Sequence, residues 1–189
     1  MRAFVLTLIL LTTIFCSAEA QDTLSLFKSF AGDESGAYYG WSACGVNLIG
    51  DEYPELIIGA PMRNSSRGAV FIYRGGPDMD SLPDFIIEGE EERDQFGISV
   101  SPAGDFNGDG FSDLLVGANV SLGIGKAYIF FGGPAFDGIP DVEMAGREFV
   151  DNYGYAVTGL GDINGDGFDD VAVGALYNDA LGDRTGQVY

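Results

Sequence analysis

The sequence predicts an all-β chain made of β-propeller blades, each a sheet of four antiparallel strands, and three observations carry that expectation. Landmark glycines recur with a fixed period, for Gly32, Gly89 and Gly146 fall 57 residues apart, as do Gly40, Gly97 and Gly154. Each period holds four short apolar segments, punctuated by Gly, Pro, Asn and Asp and lacking helical periodicity. Four strands in a repeat of this length are what one propeller blade requires.

In the middle repeat the expected strands are 97–101, 114–118, 126–131 and 142–145. The first carries small residues, Ser99 and Ser101, where the third carries Tyr128, Ile129 and Phe130. The same contrast sets Ser42, Ala43 and Cys44 against Phe71, Ile72 and Tyr73, and Ala156 and Thr158 recur in the last repeat. Strands nearest the axis of a radial array are the most crowded, so the small residues place the first strand innermost. Cys44 is in register with Ser101 and Thr158 and reads as a small filler, with no His in the chain to activate it. Repeats span about 33–89, 90–146 and 147–189, the last cut short. The segment up to Gly32 reads as a fourth strand with no blade before it, and Gly186-Gln187-Val188-Tyr189 stops in mid-strand. Three repeats cannot close a ring of four to eight blades. The expectation is therefore a piece of a longer propeller, or a ring completed by further copies of the chain.

Between the first and second strands of two repeats lies an acidic loop, Asp105-Phe106-Asn107-Gly108-Asp109-Gly110-Phe111-Ser112-Asp113 and Asp162-Ile163-Asn164-Gly165-Asp166-Gly167-Phe168-Asp169-Asp170. Oxygen-bearing side chains occupy loop positions 1, 3, 5 and 9, Gly occupies position 6, and position 7 can offer its carbonyl. That is the order in which calcium collects oxygen ligands. A helical calcium loop would end with Glu at position 12, whereas Leu114-Leu115-Val116 and Val171-Ala172-Val173 follow here, so the loop joins two strands. Two calcium sites are expected. One uses the side chains of Asp105, Asn107, Asp109 and Asp113 with the carbonyl of Phe111. The other uses Asp162, Asn164, Asp166 and Asp170 with the carbonyl of Phe168. The competing reading is a polar turn whose Asp and Asn side chains cap their own backbone. The first repeat departs from the pattern: Asn47, Ile49, Asp51, Tyr53 and Glu55 fill the equivalent odd positions, Ile49 offers no oxygen, and Glu52 replaces the turn glycine. Weak or absent calcium binding is expected there.

With 29 Asp and Glu against 9 Lys and Arg, the net charge is −20. Such a field repels nucleic acid and concentrates divalent cations. The N-terminus, with Arg2, an apolar run over 3–15 and Ala18-Glu19-Ala20, fits a secretory signal peptide over 1–20. A lipid anchor on Cys16 is the competing reading, set back by the bulky Ile14 and Phe15. Removal of the signal leaves Cys44 alone and hence no internal disulfide. No second apolar stretch is long enough to span a membrane, which needs about 20 residues. The expected location is secreted or at the cell surface. Asn64-Ser65-Ser66 and Asn119-Val120-Ser121 are glycosylation sequons. The aromatics, Trp41 included, read as core.

Phe96-Gly97, the acidic loop and Gly117-Ala118 resemble the FG-GAP repeat of integrin α-subunit β-propellers and of many secreted bacterial proteins, and Gly59-Ala60-Pro61 echoes its end in the first repeat. The resemblance covers essentially the whole of 21–189 in three copies. It implies a calcium-stabilised propeller for binding or adhesion, facing an extracellular protein or glycan ligand. The alternative is an accessory propeller region of a secreted hydrolase or phospholipase whose catalytic domain lies elsewhere. Without His there is no Ser-His-Asp or Cys-His arrangement and no ordinary zinc site, and no Gly-Lys-Ser/Thr phosphate loop occurs. The chain therefore reads as a non-enzyme.

Overall fold

The structure, a computed structural model, describes residues 28–119, 123–149, 151–179 and 185–189. The expected signal segment 1–20, with Cys16, lies outside them. The chain divides into units 1–31 and 32–189. In the first unit only 28–31 are described, and they form neither strand nor helix; the rest of the segment expected as a fourth strand lies outside the described residues.

The second unit is a series of antiparallel sheets. β1 (Ser42–Val46), β2 (Glu55–Ala60), β3 (Ala69–Tyr73) and β4 (Phe85–Glu88) pair in sequence order, and β5 (Phe96–Gly104), β6 (Asp113–Ala118), β7 (Lys126–Phe130) and β8 (Val142–Ala145) repeat that order. β9 (Tyr153–Gly161), β10 (Asp170–Ala175) and β11 (Gln187–Val188) form a sheet of three described strands. Each sheet is an up-and-down meander, because short polar turns join neighbours that are already antiparallel. β5 runs three residues beyond its expected end. It carries two irregularities against β6, between Phe96 and Ser99 and between Pro102 and Gly104, which let one long strand bend. β9 shows matching breaks against β10.

The core is made between sheets. Ile57, Val70 and Ile72 of the first sheet meet Phe96, Val100, Leu114, Val116, Tyr128 and Phe130 of the second. Leu115, Ala127 and Ile129, on the opposite face of the second sheet, meet Tyr153, Val157 and Val173 of the third. Alternate residues of one strand thus serve two cores, which explains why β6 is buried at every position. β10 has a partner on one face and is only partly buried. β5 lies against β1 and β9, so the first strands stand side by side as their small residues suggested. Ser42 Oγ donates to the Gly97 carbonyl at 2.8 Å, and Val157 and Gly159 N–H donate to Ser99 Oγ and Ser101 Oγ, both at 3.2 Å.

The glycines of the repeat have a common cause. A Cβ on Gly117 would press into the Gly154 carbonyl, and one on Gly59 into the Gly97 carbonyl. The backbones of adjacent sheets approach so closely there that no side chain fits between them. Cys44 is packed against the first core, and burial pushes its thiol up to about 12, as suits an inert filler. Not all the aromatics are core: Tyr38, Trp41, Phe149 and Phe168 are among those exposed. Trp41 is 54% exposed and stacks on Tyr38 with ring centroids 5.8 Å apart, outside either core.

Candidate metal centre

Each acidic loop is the turn from a first to a second strand, and its side chains at positions 1, 3 and 5 accept from the loop's own backbone. In the second repeat Asp105 Oδ1 accepts from Asp109 N–H and Asp105 Oδ2 from Gly110 N–H, both at 2.9 Å. Asn107 Oδ1 also accepts from Asp109 N–H, and Asp109 Oδ1 accepts from Phe111 N–H, again at 2.9 Å. The third repeat repeats the scheme. Asp162 accepts from Gly165, Asp166 and Gly167, Asn164 from Asp166, and Asp166 from Phe168. Such side-chain turns explain why Asp and Asn recur at positions 1, 3 and 5. Glycines at positions 4 and 6 take left-handed conformations, with φ of 77° and 91° at Gly108 and Gly110 and 80° and 95° at Gly165 and Gly167.

Position 9 closes the loop from beneath. Asp113 is fully buried; its Oδ2 accepts from Phe106 N–H at 2.9 Å and its Oδ1 from Gly132 N–H at 2.8 Å. It therefore ties the loop to the end of β7. Burial raises its carboxyl above the ordinary range, opposed by the backbone N–H groups of Gly132, Phe106 and Asn107. Asp170 holds Ile163 N–H in the same way at 3.1 Å. Asp162, in an exposed loop, is shifted downward, chiefly by the Gly167 N–H.

The first repeat keeps the frame and loses part of the donor set. Glu55 Oε2 accepts from Leu48 and Ile49 N–H at 2.7 and 3.1 Å, standing where Asp113 and Asp170 stand. Asp51 accepts from Tyr53 N–H at 2.9 Å, as position 5 does in the other loops. Asn47 Oδ1 accepts from Gly50 N–H at 3.0 Å, and its Nδ2 donates to the Asp51 carbonyl at 2.7 Å. Glu55 is 1% exposed and both of its N–H donors meet Oε2, which leaves Oε1 without a hydrogen-bond partner, whereas Asp113 takes one N–H on each oxygen. Burial pushes its carboxyl upward. The sequence did not point to a buried, half-satisfied acid here; its signal is Glu in place of Asp at position 9.

Among the described residues, no three carboxylates converge in an arrangement that could hold a metal ion. The expected ligands share each loop but face backbone N–H groups. The donor set still suits a hard cation, because it consists wholly of oxygens, and the carboxylate oxygens here accept from N–H groups and make no ion pairs. Among the described residues, the ion pairs join Arg63 to Asp33 and Glu88, Arg74 to Asp84, and Lys126 to Glu90 and Glu143. None of these cations reaches a loop carboxylate. Of the two sequons, Asn64 is exposed, whereas Asn119 is 5% exposed with its Oδ1 unpartnered, and Val120 and Ser121 lie outside the described residues.

Four-stranded antiparallel sheets stacked through their first strands, with an oxygen-rich loop between first and second strands, define partial β-propeller blades. Comparison with known proteins agrees. Residues 96–130 and 153–189 match the FG-GAP repeat. The chain is 32% identical over 170 residues to integrin alpha-5 of Xenopus laevis, covering 82% of this chain and 16% of that protein. It is 33% identical over 160 residues to integrin alpha-8 of Gallus gallus, covering 80% and 15%. Against integrin alpha-PS2 of Drosophila melanogaster the identity is 31% over 173 residues, covering 81% and 12%. The chain is an integrin-α-like FG-GAP propeller segment, and it spans less than a fifth of the length of these relatives. No described helix is long and apolar enough to cross a membrane.

Proposed function

We propose that this segment is a calcium-binding, non-catalytic module for binding or adhesion outside the cell. The observation that carries the reading is the pair of loops, with three carboxylates in the first and four in the second held within one short turn, and no Lys or Arg among the described residues bridging them. Like charges in one turn repel, and a bound divalent cation would relieve that repulsion. The ligands would be Asp105, Asn107, Asp109, Asp113 and the Phe111 carbonyl in one loop, and Asp162, Asn164, Asp166, Asp170 and the Phe168 carbonyl in the other. The ion would supply charge neutralisation and a tie across the turn. This chain's part is to hold the oxygens on a rigid strand-to-strand frame, which favours calcium over the stricter octahedral demands of magnesium. The integrin names of the relatives support an adhesive role with an extracellular protein or glycan ligand, and a signal over 1–20 would provide export.

Calorimetric titration with calcium tests the reading. Two sites are expected, with Kd on the order of 10⁻⁴–10⁻³ M as in extracellular modules. Asp109→Asn and Asp166→Asn should each remove one site. At calcium about 100 times Kd, each site should add about 2.7 kcal/mol of stability. No binding heat and an unchanged melting midpoint at millimolar calcium would sink the proposal.

A further inference from the structure

The two acidic loops are tied to each other by one residue that is an expected ligand of neither. Asp169 stands at position 8 of the third-repeat loop, between Phe168, whose carbonyl is an expected ligand, and Asp170, whose side chain is another. Its carboxylate reaches the neighbouring loop. Asp169 Oδ2 accepts from Asp105 N–H at 2.9 Å, and Asp169 N–H donates to the Asp105 carbonyl at 3.2 Å. Asp105 is position 1 of the second-repeat loop, so both polar groups of its backbone are held from the third repeat. Its side chain meanwhile holds Asp109 and Gly110 N–H within its own loop.

The approach is close. A Cβ on Gly104, where φ is 75°, would fall inside contact distance of the Asp169 carboxylate. Beside this pair the Phe168 ring lies over Gly108, position 4 of the second-repeat loop, where a Cβ would stand 2.6 Å from it. Ser112 and Pro54 occupy position 8 in the other two repeats, so only the third repeat offers a carboxylate there. Among the described residues no Lys or Arg pairs with Asp169.

Resting on the calcium reading above, we infer that Asp169 couples the two loops, so that calcium bound in either raises the affinity of the other. With calcium in the third-repeat loop, the Phe168 carbonyl and the Asp170 carboxylate are held on either side of Asp169, and its backbone is fixed. Asp105 is then fixed through its two hydrogen bonds to Asp169, and the second-repeat site gains its position-1 ligand at a smaller cost in ordering. The effect runs equally in reverse, since a coupling free energy between two binding sites is reciprocal. Two dications in adjacent loops repel, which opposes the coupling, and the Asp169 carboxylate at their boundary offsets part of that repulsion. Asp169 is a positioning residue and supplies no ligand.

Calorimetric titration of the full chain with calcium reads the coupling. Asp166→Asn reports the second-repeat loop alone, and Asp109→Asn the third-repeat loop alone. The product of the two wild-type association constants should exceed the product of these single-site constants at least about fivefold, the lower end of common allosteric couplings. Asp169→Ala, made in the wild type and in both single-site variants, should bring the two products together, because Asp105 N–H loses its acceptor. Asp169→Asn keeps an oxygen for that N–H and should retain the coupling. The ratio of products cancels a general loss of affinity, which is all that a merely structural role would produce, and the wild-type ratio is read without any change at Asp169. Independent binding of two ions in the wild type, coupling that survives Asp169→Ala, or coupling lost in Asp169→Asn would overturn the inference and leave the two calcium sites standing. Absence of binding heat in the wild type overturns the calcium reading, and this inference with it.

Discussion

Gly117→Ala tests how closely the second and third sheets are stacked. A Cβ on Gly117 would sit inside van der Waals contact of the Gly154 carbonyl oxygen, with the carbonyl carbon at 3.0 Å and Val157 Cγ1 at 3.3 Å. A backbone carbonyl and a β-branched side chain cannot swing aside, so the sheets have to part. Forcing a methyl group into a packed interface costs about 1–3 kcal/mol. The same change at Gly174 brings a Cβ no closer than 3.5 Å to the Ala156 carbonyl oxygen, an ordinary contact. There the lost freedom of the unfolded chain dominates, and Ala stabilises by about 0.4–1 kcal/mol. The two variants should therefore differ by about 1.5–4 kcal/mol although the sequence change is identical. With urea slopes of about 1–3 kcal/mol per molar, the denaturation midpoints should separate by about 1 M, measured by far-ultraviolet circular dichroism on dilute protein. Equal midpoints, or a larger loss at Gly174, would refute the stacking argument.

Two further outcomes follow from the loops. Because burial raises the Glu55 carboxyl above its ordinary value of 4.5, its contribution to stability is fully present below pH 4.5 and is lost as the pH rises through the folded value. Glu55→Gln, which carries no charge, should gain on the wild type between pH 4.5 and pH 7 in urea midpoints; a constant difference would show that Glu55 is not strained by its burial. Phe111→Ala removes a ring packed against both Gly50 and Gly133, whereas Phe168 packs against Gly108 and is 49% exposed. Thermal melting should show a loss of about 2–4 kcal/mol for the first and about 1 kcal/mol for the second.

The blade was readable because its signals are local. The four strands of the middle repeat follow from short apolar runs and turn residues, and the observed ends at Phe130 and Ala145 lie within one residue of those expected. The odd-position oxygens of the loops were equally plain, since the requirement to cap one's own backbone N–H groups is met within nine residues. Trp41 misled, because an aromatic residue in a strand-like pattern looks the same whether a neighbouring sheet covers it or leaves it in solvent. The partner of Asp113 was also hidden, for Gly132 N–H lies nineteen residues along the chain and meets it only through the β6–β7 pairing.

The sequence by itself determined the period, the four-stranded sheet and the oxygen-rich turn, all of which rest on interactions within a few residues or one repeat. Only the tertiary structure decided why the glycines of the repeat are glycines. Gly59 faces Gly97, and Gly117 faces Gly154, across a boundary that exists only once two sheets stack. It also decided that the loop carboxylates, before any ion, are held by backbone N–H groups.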